Sequence, residues 1–138
     1  MFLRLAEVLA IREDQIRRYG GAAGVRDVRL LISALAMPAA SYAGQRLHGD
    51  LYEMAAAYLF HLVQNHAFVD GNKRVGAVAA DVFLALNDVE LVAKVDEYAD
   101  LVLGVASGKV SKSSVAEFFR GHTVARRPTR RPPTRRRR

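Results

Sequence analysis

The chain of 138 residues contains no cysteine, which excludes a disulfide scaffold, a thiolate nucleophile and any thiolate metal site. No uninterrupted apolar run approaches the roughly 18 residues of a membrane span. The opening Met1-Phe2-Leu3-Arg4-Leu5-Ala6-Glu7 carries an acid early and lacks the basic region, apolar run and small-residue cleavage site of a signal peptide. These absences make a soluble, cytoplasmic protein without a membrane partner the expectation. Proline is scarce: there are four, and three of them fall in the last sixteen residues. Acid is missing from that same segment.

What is present is apolar and unevenly charged. Apolar residues make up 51% of the chain, enough for one packed core, and the length suits one domain rather than two. The net charge is +7. Residues 1–122 hold 13 Lys and Arg against 14 Asp and Glu, whereas residues 123–138 hold eight arginines and no acid. The whole basic excess is therefore terminal. Such a segment cannot bury apolar surface and is expected to be a disordered, self-repelling tail. The expected division is a helical domain over 1–122 and a basic tail over 123–138.

Apolar spacing predicts helices separated by brief turns. Leu5, Val8, Leu9 and Ile16 mark the first, from about Leu3 to Tyr19, and glycines 20, 21 and 24 break it. Asp27 can cap a short second helix that Pro38 stops. Asp50 can cap a third, with Leu51, Ala55, Tyr58, Leu59, Leu62 and His66 on one inward face. Val75 to Leu86 forms a fourth, Val95 to Val105 a fifth that Gly108 stops, and the last starts at Ser111 or Ser114 and ends near Gly121. Val89 to Val92 alternates as a strand does, but no partner strand is evident. The five tyrosines read as packing residues with a wet hydroxyl. The expectation is an all-α bundle of about six helices.

Between the third and fourth helices lies His66-Ala67-Phe68-Val69-Asp70-Gly71-Asn72-Lys73-Arg74. A loop feeding a helix N-terminus offers unpaired backbone N–H groups and the positive end of the helix dipole, a ready site for phosphate. Lys73 and Arg74 add full charges there, Arg74 being suited to a two-pronged contact. Without a bound anion, two cations at that end oppose the dipole. Imidazole exchanges a proton near neutral pH, so His66 is a candidate general base; its plain alternative is a helix-terminal histidine satisfied by backbone. Three roles are open to Asp70: orienting His66, binding Mg²⁺ beside phosphates, or capping the next helix. Gly71 permits a backbone that bulkier residues would strain. Asn72 can fix the loop or touch phosphate, and Phe68 reads as a core anchor. The Gly20–Asp27 loop is either a connection or a rim over the site, with Arg26 within reach of an anion. His48, His61 and His122 lack ligand-like spacing, which argues against zinc.

The motif resembles the signature of the death-on-curing (Doc) toxins within the Fic/Doc superfamily. Tyr19-Gly20-Gly21, Gly24, Arg26-Asp27, Leu30-Leu31 and Ser33-Ala34-Leu35 are similar to the N-terminal third of these proteins, and Val105-Ala106-Ser107-Gly108-Lys109 to a turn near their C-terminus. The likeness spans about residues 1–122. It implies a Fic/Doc-like fold and a toxin that transfers the γ-phosphate of ATP, with Mg²⁺, to a threonine of translation elongation factor Tu. It further implies catalysis by His66 and Asp70, phosphate contacts from Gly71, Asn72, Lys73 and Arg74, and loop support from Phe68. The implied partner is a cognate antitoxin whose C-terminal segment lies in a groove of the toxin.

Fic adenylyltransferases have a second glycine where Lys73 stands and a second arginine where Ala77 stands. The lysine partly fills the anion hole, and the missing arginine removes a phosphate clamp. AMP transfer to a protein hydroxyl remains the alternative reaction, and a catalytically silent binding module the alternative role. Ala67 replaces a common proline and Val75 a common threonine. Arg126–Arg138 adds nonspecific contact with nucleic acid or ribosomes as a further expectation.

Overall fold

The computed structural model describes residues 1–21 and 24–126. Six helices carry the fold: α1 (Leu5–Tyr19), α2 (Val28–Ala36), α3 (Leu51–Gln64), α4 (Asn72–Leu86), α5 (Val95–Ala106) and α6 (Lys112–Gly121). A 3₁₀ turn at Met37–Ala39 and a small antiparallel hairpin, β1 (Ser41–Tyr42) with β2 (Gln45–Arg46), join α2 to α3. The all-α expectation holds.

Helix starts follow side-chain chemistry. Asp27 accepts from the Arg29 N–H at 2.9 Å, Asp50 from the Glu53 N–H at 2.8 Å, and Ser111 from the Ser114 N–H at 3.1 Å. Each satisfies a backbone donor that the first turn leaves without a carbonyl. Of the two serines, Ser111 is the cap of α6.

Helix α3 is the axle of the bundle. Ala55 to Leu59 are fully buried in unbroken succession, and Leu62 and Val63 are 1% exposed. A helix buried on every side needs small residues where neighbours press closest. The closest neighbour is α4: a methyl group on Gly76 would lie 2.8 Å from Val63 Cγ2 and 3.1 Å from the Leu59 carbonyl oxygen. That contact fixes the end of α3 against the start of α4, between which the motif loop is strung. Each fully buried Leu or Phe contributes about 1.5–3 kcal/mol of transfer free energy. Two tyrosine hydroxyls are dry rather than wet. Tyr58 accepts the Leu3 N–H at 2.8 Å in the core, and Tyr98 donates to the Ala77 carbonyl at 2.6 Å.

The Val89 to Val92 segment has a partner after all. β3 (Val89–Leu91) pairs antiparallel with β4 (Thr123–Ala125), Val89 opposite Ala125 and Leu91 opposite Thr123. Ordered structure thus continues past the expected boundary at residue 122. The Arg126 N–H donates to the Asp88 carbonyl at 2.8 Å. The expected basic tail, from residue 127 onward, lies outside the described residues. No helix among the described residues is long and apolar enough to cross a membrane.

Candidate active site

Helix α3 ends at Gln64, and the chain then leaves the helical path. The side-chain amide of Asn65 donates to the Leu30 carbonyl at 3.2 Å, and His66 adopts a left-handed backbone with φ of 51°. Such a conformation is uncommon outside glycine and stores strain. It reverses the sense of the chain: Ala67 and Phe68 are each 1% exposed, while His66 is exposed. The expectation that the imidazole continues the inward stripe of α3 is corrected, because the helix stops two residues short of it.

Phe68 is buried at the base of the loop. Its N–H donates to Asn72 Oδ1 at 3.0 Å, and Asn72 Nδ2 donates to its carbonyl at 3.1 Å. This reciprocal pair commits both ends of the Asn72 amide. Of the two roles open to that side chain, these bonds carry loop fixing. The Arg12 guanidinium sits 4.8 Å above the Phe68 ring and donates from Nη2 to the Gly24 carbonyl at 3.0 Å.

The α1–α2 loop is a rim stitched to the motif. The N–H groups of Arg26 and Asp27 donate to the Ala67 carbonyl at 2.7 and 3.1 Å, and the Val69 N–H donates to the Gly24 carbonyl at 3.3 Å. Val25 faces Phe68 in an antiparallel bridge. Arg26 does not stand free for an anion; its Nε donates to the His66 carbonyl at 2.9 Å.

Gly71, at φ 83°, is the N-cap of α4 and supplies no side chain to cap it. Asp70 is therefore not the cap, although one carboxylate oxygen accepts the Gly71 N–H at 2.8 Å. Its other oxygen lies against Gly21, where a Cβ would come within 3.1 Å. The N–H groups of Asn72, Lys73 and Arg74 form the first turn and have no preceding helical carbonyl. Lys73 and Arg74 are exposed. Neither has a carboxylate within ion-pair distance among the described residues, whereas Arg120 contacts three, Asp50, Glu53 and Glu117. The Arg74 guanidinium lies 4.9 Å over the Tyr19 ring.

These groups line one cleft of about 420 Å³, bounded by Tyr19, Gly21, His66, Asp70, Lys73 and Arg74. The residues singled out from the motif line it except Phe68, which is buried. A base, a carboxylate and two uncompensated cations around open N–H donors can bind a polyphosphate and deprotonate an alcohol beside it. Arg12 has no role in the sequence reading, which takes Tyr19 as a packing residue and Gly21 as part of a helix-breaking glycine run; the structure places Tyr19 and Gly21 on the cleft wall. Arg12 gives a signal of a kind: it interrupts the apolar side of α1 and is 7% exposed.

A larger cleft of about 750 Å³ lies between α3 and α6, lined by His48, Glu53, Lys112 and Arg120 among others. Its chemistry is different. His61, close by, is pushed down to about 4 by burial and by the Lys112 charge, and the Lys112 Nζ lies 3.2 Å from its Nε2. Size alone does not identify the site: Lys112, on the first turn of α6, likewise has no carboxylate partner among the described residues, but the Glu53 and Glu117 carboxylates of that cleft are held by Arg120.

The Fic/DOC family model matches residues 2–84. The chain is 41% identical over 109 residues to "Toxin Doc" of Mycolicibacterium smegmatis, covering 78% of this chain and 84% of that protein. It is 37% identical over 114 residues to "Protein kinase doc" of Escherichia phage P1, covering 83% of this chain and 89% of that protein.

Proposed function

From the premise that this chain belongs to the Fic/DOC family, we propose that it is a Doc-type toxin and protein kinase. The observation that carries the reading is the pair of uncompensated cations, Lys73 and Arg74, on the open first turn of α4 within the cleft that His66 and Asp70 share. The proposed substrates are ATP and a threonine hydroxyl of elongation factor Tu, with arrest of translation as the consequence.

Lys73, Arg74 and the first-turn N–H groups hold the phosphates and offset charge at the transferring group. His66 accepts the hydroxyl proton. The hydroxyl oxygen bonds to the γ-phosphorus, the bond from that phosphorus to the β–γ bridging oxygen breaks, and ADP leaves. Among the described residues no cluster of three or more potential ligands could cage a metal alone. Asp70 nonetheless fits magnesium, which commonly takes one or two carboxylates together with substrate phosphates; its carboxylate keeps acceptor capacity beyond the Gly71 N–H. Magnesium bound there would add neutralising charge at the phosphates.

Lys73 narrows the anion site. Ala77 lines the groove against α5, and its carbonyl is held by Tyr98. A lysine in place of the adenylyltransferases' glycine, and an alanine in place of their second phosphate-clamping arginine, favour phosphoryl over AMP transfer. The test is incubation with elongation factor Tu and ATP labelled at either the γ- or the α-phosphate. Threonine labelled from the γ position, and none with His66→Ala, is expected. Label from the α position alone would assign adenylylation, and growth arrest undiminished by His66→Ala would assign a silent binding module.

Two partners follow on the same reading. An antitoxin segment fits the groove of about 590 Å³ between α1, α4 and α5, whose walls are mainly apolar. Contact with nucleic acid or ribosomes through Arg126–Arg138 should be salt-dependent. Removing residues 127–138, which leaves β4 in place, should abolish that contact and spare phosphoryl transfer.

A further inference from the structure

The groove between α4 and α5 is apolar but not uniformly so. Val95 and Leu103 on α5 are 83% and 53% exposed, large side chains that a lone chain leaves in water. Among these walls stands Asp81 of α4. It forms no ion pair or hydrogen bond with any described residue. Its side chain is exposed on the groove wall, where partial desolvation by the apolar neighbours and the nearby Glu90 carboxylate raise its pKa. An occupant with a purely apolar face would strip water from this carboxylate and give nothing in return, which is costly for a charged group. One lysine or arginine at the right place removes that penalty and answers the potential of both acids.

We propose that Asp81 is the specificity determinant of this groove, selecting a partner segment whose apolar face carries a single lysine or arginine set against it. The inference rests on the reading of the groove as a partner's docking site, and on nothing in the kinase assignment. Lys73 and Arg74 close one end of the groove. Eight residues of helix, about 12 Å, separate Lys73 from Asp81. An occupant of two to three helical turns seated on Asp81 therefore reaches the phosphate-binding turn.

The test is selection of displayed helical peptides on the full chain and, in parallel, on Asp81→Lys. Expected from the native chain is an apolar stripe with one Lys or Arg; from Asp81→Lys, the same stripe with Asp or Glu in its place. A selected peptide should bind Asp81→Asn about tenfold more weakly, and Ala99→Trp, which plugs the groove, not at all. Asp81 and Ala99 are both on the surface, so thermal melts of all three variants should match the parent and exclude misfolding. An identical consensus on both baits, or one without a cation on the native chain, overturns the assignment of Asp81. Failure to enrich any peptide, or equal binding to Ala99→Trp, overturns the groove as a docking site. Neither outcome bears on γ-phosphate labelling, which reports the kinase reading separately.

Discussion

Asn72 and Phe68 hold each other by two hydrogen bonds, the amide of one closing on both backbone groups of the other. The turn that carries Asp70 is thereby locked into a ring of five residues, 68–72, two residues after His66, with the aromatic side chain buried in the core. Asn72→Ala leaves the Phe68 N–H and carbonyl without these partners, a loss of about 1–3 kcal/mol. Asn72→Asp keeps the acceptor and should lose less. Urea unfolding of the two variants checks the order.

Gly21 should not tolerate a side chain, and the reason is Asp70. The backbone at φ 118° already disfavours alanine, and the added methyl would stand 3.1 Å from the carboxylate. Gly20, also at positive φ, has nothing within 4 Å of the same atom. Both alanine variants carry backbone strain of about 1–2 kcal/mol. Only Gly21→Ala should add a roughly tenfold loss in kcat/KM, a further 1.4 kcal/mol at the transition state. Steady-state kinetics of the pair, with matched melts, separates the two effects.

Arg26 acts through the His66 backbone. Arg26→Gln removes the Nε–H donated to the His66 carbonyl while the main-chain bonds to Ala67 remain available. The expected result is about a tenfold fall in kcat with KM for ATP unchanged. A comparable rise in KM would place Arg26 among the phosphate ligands instead.

Stability should fall on acidification through His61. Its folded pKa, about 4, is depressed by burial first and by Lys112 next. The unfolded chain therefore binds the proton more readily, so stability is lost as pH drops from about 6.5 to about 4 and levels off below that. The full shift corresponds to about 3 kcal/mol, and solvent screening of the half-buried ring brings the expected loss to on the order of 2 kcal/mol. His61→Gln should flatten that part of the profile in denaturant titrations between pH 4 and 7.

The helices and their starts were legible because caps and apolar spacing are local signals; Asp27, Asp50 and Ser111 each sit beside the donors they satisfy. The cleft was legible for the same reason, since His66 to Arg74 is contiguous. What escaped depends on distance in sequence. Thr123-Val124-Ala125 is too short to announce a strand and finds β3 only in three dimensions. Arg12 and Gly21 matter through Phe68 and Asp70, some fifty residues away. The exposure of His66 turns on one left-handed residue where helical periodicity predicted another half-turn.

The β3–β4 ladder delivers Arg126 to Asp88, just beyond the last turn of α4, while the phosphate turn is that helix's first. Fifteen residues of helix put the two about 22 Å apart. The molecule is thus bipolar: a fluorophore, affinity handle or surface tether joined beyond Arg126 is attached at the pole remote from the cleft mouth. Immobilising the protein by that pole would present His66 and the rim outward to whatever flows past.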